Sequence, residues 1–92
     1  MAQNTTVAVP AKTWTLLTNS DVTHITFQAG DRIAVKATAG AVAPTDLSGA
    51  IWYPVGSGEM NTALADLWSG VTGGNRVYAW SFTGTGVVVS HA

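Results

Sequence analysis

Ten glycines and three prolines punctuate the 92 residues of this chain. Gly30, Gly40, Pro44, Gly49, Gly56, Gly58, Gly70, Gly73, Gly74, Gly84 and Gly86 leave little room for long helices. Pieces of roughly five to eight residues between such turn signals define strands, and a chain built from them folds as an all-β sandwich or barrel. No repeat with a period of about 20 to 50 residues is present, so a solenoid is excluded.

Most of the pieces alternate with a period of two. TTVAV (residues 5–9) turns Val7 and Val9 inward and is stopped by Pro10. TWTLLT (13–18) sets Trp14 and Leu16 against Thr13, Thr15 and Leu17, and NSD (19–21) is a turn because its side chains bond their own backbone. VTHITFQA (22–29) places Thr23, Ile25 and Phe27 opposite His24, Thr26 and Gln28. RIAVKAT (32–38) places Ile33, Val35 and Ala37 opposite Arg32, Ala34 and Lys36. The intervening AGD makes these two runs look like a hairpin. Residues 39–49 read as an open loop, and AIWYPV (50–55) is a short strand that Pro54 confines to an edge or an end.

GSGEMNTALADLWSG (56–70) changes period. Met60, Leu64, Leu67 and Trp68 share one face of a short helix, with Ser57 as N-cap, Glu59 in the first turn and Gly70 as the stop. VTGGN (71–75) is a loop, and RVYAWSFT (76–83) and GVVVSHA (86–92) are the last strands. The expected fold is therefore a single domain over residues 1–92. It is a small antiparallel β-sandwich, jelly-roll-like in order, of about seven strands with one short helix; a small β-barrel is the alternative.

Charge is scarce. Nine residues, 10%, are charged, against about 25% in an average soluble domain. The surface must be built from Thr, Ser, Asn, Gly and Ala, which suits a protein packed among other subunits better than a free monomer. A net charge of −1 creates no field for polyanions. With no cysteine and two histidines the chain offers neither a disulfide nor a zinc site, and no metal or cofactor is expected. MAQNTTVAV lacks the basic start and apolar core of a signal peptide, and no apolar run approaches the ~20 residues of a membrane span. The expectation is synthesis in a cytoplasm without membrane association.

Catalytic constellations are missing from the sequence. Asp21, Asp31, Asp46, Glu59 and Asp66 each sit beside a turn or helix signal, where capping accounts for them. His24 lies on an outward strand face. Ser90 and His91 are adjacent in a strand, so they point to opposite faces and cannot share a proton. GSG, TGG and GTG do not extend to a phosphate-binding motif. Lys12, Arg32, Lys36 and Arg76 are the whole cationic supply, short of the roughly six to ten phosphate contacts of typical nucleic-acid binders. No basic residue interleaves in sequence with Tyr78, Trp80 and Phe82, so a base-stacking platform is not expected. The chain reads as non-enzymatic, with no nucleic-acid partner.

The aromatics carry the strongest functional signal. Of the four tryptophans, two tyrosines and two phenylalanines, at least two among Trp14, Trp68, Trp80 and Phe27 are expected to fill the core. IWY and RVYAWSF are apolar or small on both faces, whereas a sandwich has one inside. Trp52, Tyr53, Val77, Tyr78, Ala79 and Trp80 are accordingly the candidate protein-interface residues. One face of the strand around Tyr78 and Phe82 is expected to fill the sandwich. The other, with Val77 and Ala79, is expected to meet a second layer or subunit. Trp52 with Tyr53 is the alternative platform for a sugar ring.

NRVYAWSFTGTGVVVSHA resembles the carboxyl ends of small bacteriophage virion proteins, which often finish with a strand, a Gly-rich turn and a last strand rich in Val and Ser. VAVPAKTWTLLTNSDVTHITFQ is similar to their opening, and SGAIWYPVGSGEM to the segment before their final strands. That resemblance implies a β-sandwich serving as a head decoration, spike-base or tail component. The implied function is a capsid decoration or cement protein of the virion, made in the host cytoplasm. Its partners would be the major capsid protein or another virion protein. Homo-oligomerisation is expected, a trimer favoured because capsid lattices offer local threefold sites. The alternatives are a tail, neck or vertex-spike component and, from another class, a carbohydrate-binding module.

Overall fold

The computed structural model describes residues 2–92. Eight strands and one helical turn succeed each other: β1 (Gln3–Val9), β2 (Thr15–Leu16), β3 (His24–Ala29), β4 (Ile33–Thr38), β5 (Ile51–Tyr53), β6 (Gly58–Ala63), α1 (Leu64–Leu67), β7 (Arg76–Ser81) and β8 (Thr85–His91). They form two four-stranded sheets, the first in the order β1-β8-β3-β6 and the second β2-β7-β4-β5. Every pairing between these strands is antiparallel. The chain changes sheet at each connection except β4 to β5, which is the double-sheet jelly-roll order. The sheets remain two separate layers and do not close into the barrel held as the alternative.

Crossing between sheets corrects the expected hairpin of residues 22–38. β3 pairs with β6 and β8, whereas β4 pairs with β5 and β7. Gly30 makes the corner. Its N–H bonds the Gly86 carbonyl at 3.1 Å, and a Cβ at Gly30 would fall 2.5 Å from that oxygen. Glycine is therefore required for the close approach, and the chain turns toward the opposite sheet instead of folding back.

The expected helix over residues 56–70 is mostly strand. β6 runs to Ala63, Ala63 takes the N-cap position, and α1 is one turn long. Ser57 does not cap it; its hydroxyl donates to the Pro54 carbonyl at 2.8 Å. Met60 is 85% exposed and does not join Leu64 and Trp68, which are buried. Strand pairing wins because Gly58, Asn61 and Thr62 are poor helix residues, while pairing with β3 on both sides of a register shift gives their backbone groups partners. This segment is what raises the strand count to eight.

Inward residues of the two sheets meet in one core. Val9, Ile25, Phe27, Val87 and Val89 come from the first sheet, and Ile33, Val35, Val77 and Ala79 from the second, with Leu17, Leu64 and Trp68 closing its ends. The sheets are also tied at the β5/β6 side. Tyr53 on β5 donates its hydroxyl to Glu59 Oε2 on β6 at 2.9 Å, and its ring meets Phe27 edge-on at 4.9 Å.

Candidate interaction surface on the second sheet

Strand alternation in β7 holds, but the faces are reversed from expectation. Val77 and Ala79 are 0% exposed and lie in the core. Tyr78 and Trp80 point away from it, followed by Phe82 just beyond the strand. Two sheets face to face leave about 10 Å between them, and small or β-branched side chains fill that space from both walls. Indoles from β5 and β7 do not fit there as well, so the bulky set goes outside. Tyr53 is likewise inward and buried, which separates it from Trp52 on the outer face. Of the six candidate interface residues, Trp52 and Trp80 are half-buried on the outer face, Tyr78 lies on that face by alternation but is covered at 5% exposure, and Tyr53, Val77 and Ala79 belong to the core.

Register assembles this outer face row by row. Ala34 on β4 lies between Trp52 on β5 and Trp80 on β7. Its methyl group is short enough for the two indoles to meet edge to face, with centroids 6.2 Å apart. Phe82 stacks on Trp52 at 5.5 Å and meets Trp80 edge-on at 4.7 Å. It is 46% exposed. Ser81 holds Phe82 in place, since its buried hydroxyl oxygen accepts the N–H groups of Thr83 at 3.3 Å and Gly84 at 3.0 Å. The next row brings together Leu16, Tyr78 and Lys36.

Cations sit among these rings. The Arg32 guanidinium lies 4.4 Å from the Trp52 ring and 5.4 Å from Phe82. Lys36 Nζ lies 5.9 Å from Trp14 and 3.3 Å from Asp46. Arg76, paired with Asp21 at 2.8 Å, ends the face. Among the described residues those are the two carboxylate ion pairs, so the Arg32 guanidinium has aromatic partners and no acid, while its backbone N–H donates to Asp31 Oδ1 at 2.8 Å. Sequence order conceals this interleaving: Lys36 lies on β4 and Arg32 just before it, and the fold lays β4 beside β7. The outward phase of β4 was legible; its neighbour was not.

Burial, followed by the bond to Glu59 and that residue's charge, holds the Tyr53 hydroxyl well above the usual tyrosine range. The group stays protonated and acts as a fixed donor between the sheets.

The outer face of the first sheet differs. His24, Thr26, Asn61 and Ser90 line a groove of about 540 Å³, and a smaller hollow of about 370 Å³ lies between Gln28, Met60 and Val88. His24 Nδ1 is 3.1 Å from the Thr23 hydroxyl. His91 turns inward, with Nε2 3.3 Å from Gln3 Oε1, so Ser90 and His91 diverge. Among the described residues no three His, Asp or Glu side chains group as metal ligands, and no helix is long and apolar enough to cross a membrane. Comparison with family models, with curated proteins and with solved structures finds no match to this chain.

Proposed function

We propose that this chain is a non-enzymatic structural protein of a bacteriophage virion, a decoration or cement subunit that docks on the capsid shell. The observation that carries this reading is the placement of Trp14, Trp52, Trp80 and Phe82 outside the core, on one face of one sheet, around an Arg32 guanidinium that has no carboxylate partner among the described residues. Tryptophan, tyrosine and arginine are the residues that dominate interface hot spots. The sandwich measures 30 × 27 × 19 Å, so one broad face matches the roughly 800 Å² per partner of a standard interface. The low charge and the likeness of the strand spacing to small virion proteins favour a shell as the partner. The mechanism is passive: the aromatic face is buried against a major capsid protein, Arg32 finds a carboxylate or carbonyl there, and shell subunits are held together across their junction.

Quantitative mass spectrometry of purified particles tests the proposal. A copy number near that of the shell protein, or a simple fraction of it, supports decoration. A few copies per particle would move the chain to the tail, neck or vertex. Absence from particles would overturn the virion reading.

A further inference from the structure

The four sheet edges of this sandwich are not equally protected. An unpaired strand edge exposes a row of N–H and C=O groups, and proteins blunt such edges with shortness, proline, charge or bulges. β2 is two residues long and β5 is three, ending at Pro54. β6 carries the charged Glu59, a register shift against β3 and a left-handed Asn61 at φ 47°. β1 has none of these devices. Its seven residues, QNTTVAV, contain no charge, proline or glycine, and they pair with β8 from end to end without a shift. No backbone hydrogen bond outside the β1–β8 ladder involves β1 among the described residues.

We propose that β1 is a self-association edge, where β1 of a second copy adds antiparallel about a twofold axis. Centring the axis on Thr6 sets Thr6 against itself, Thr5 against Val7, Asn4 against Ala8 and Gln3 against Val9 of the second copy. Charge neutrality makes the edge self-compatible, because no like charges meet across the axis, and Thr–Thr and Thr–Val are favourable cross-strand pairs. Val7, which faces the core but is only half-buried, is covered by the second copy's Thr5. The first sheet becomes continuous through both copies, in the order β6-β3-β8-β1 and its mirror. The aromatic face of the second sheet stays free, so pairing and shell docking do not compete. This twofold pair, an isologous closed interface, takes the place of the threefold ring expected from the sequence.

The chain has no cysteine, so one introduced thiol reports the geometry. In the full chain, Thr6→Cys is expected to oxidise to a reducible dimer at least about tenfold faster than Val42→Cys on an exposed loop, because Cβ atoms across an antiparallel pair lie within disulfide reach. Asn4→Cys mixed with Ala8→Cys should cross-link, and Asn4→Cys alone should not. By sedimentation the wild type should be a dimer whose melting temperature rises with protein concentration, and Thr6→Lys a folded monomer whose melting temperature does not. A wild type that stays monomeric at its highest soluble concentration, a species of three chains, or equal oxidation of Thr6→Cys and Val42→Cys would overturn the proposal. If Thr6→Lys does not fold, the cysteine comparison still decides.

Discussion

Tyr53→Phe removes one oxygen atom and asks whether the bond between the two sheets carries free energy. The ring, its burial and its edge contact with Phe27 are retained. What is lost is the 2.9 Å hydrogen bond to Glu59. A hydrogen bond to an ionised acceptor contributes about 1.5–3 kcal/mol. Glu59 is half-buried and keeps the Thr62 hydroxyl at 3.3 Å, so water and Thr62 offset part of the loss. The expected cost is therefore in the lower half of that range, about 1.5–2 kcal/mol. At roughly 4–8 °C per kcal/mol for a domain of this size, the melting temperature should fall by about 6–16 °C. The pH profile supplies a second readout. An unfolded tyrosine ionises near pH 10, whereas the folded Tyr53 hydroxyl is held above that value by burial and by Glu59. Below about pH 10 both states are protonated and the contribution is complete. Above it the unfolded chain releases a proton that the folded chain retains, so stability declines as pH rises toward the folded value. The wild type should thus lose stability above about pH 10 more steeply than Tyr53→Phe. Thermal unfolding followed by near-ultraviolet circular dichroism, near neutrality and at alkaline pH, measures both. A variant melting within about 2 °C of wild type, with a parallel alkaline profile, would refute the reasoning.

Three further substitutions probe the rest of the structure. Ala79→Asp places an unpaired carboxylate at a position of 0% exposure; a loss of at least about 4 kcal/mol is expected, and a variant with the wild-type melt would put Ala79 outside the core. Gly58→Ala drives a Cβ into the Phe27 carbonyl oxygen, where backbone must move; a loss of about 3 kcal/mol, read as a lowered urea midpoint, is expected, and an unchanged midpoint would contradict the close β3–β6 approach. Arg32→Ala removes the guanidinium from Trp52; a cost of about 0.5–1 kcal/mol and a shift in tryptophan emission are expected, and identical spectra would mean that Arg32 does not sit on the ring.

Periodicity revealed most strands because alternation is local. The inward set of β3 and β4, Ile25, Phe27, Ile33, Val35 and Ala37, follows from it directly. Three features needed distant information. Gly30 and Asp31 look locally like a hairpin turn, and only the insertion of β8 between β1 and β3 makes them a corner between sheets. Residues 58–63 present a helical spacing that pairing with β3 overrides. In β7 both faces are apolar, so alternation could not say which faces in. The limited space between the sheets decides for Val77 and Ala79. The same long-range pairing hides the aromatic surface: Trp52, Ala34, Trp80 and Phe82 become neighbours only when β5, β4 and β7 lie side by side. That some aromatics would lie outside the core was legible from composition and alternation; that Trp80 is one of them was not, because its face was expected to fill the sandwich.

Oxidative footprinting of the chain, free and on purified particles, tests the docking surface most directly. If the outer face of the second sheet meets the shell, Trp52, Trp80 and Phe82 should be protected on particles relative to the free protein, while Trp68, already buried in the core, is oxidised equally little in both. Equal oxidation of Trp52, Trp80 and Phe82 in the two forms would contradict the proposal that this face is the contact.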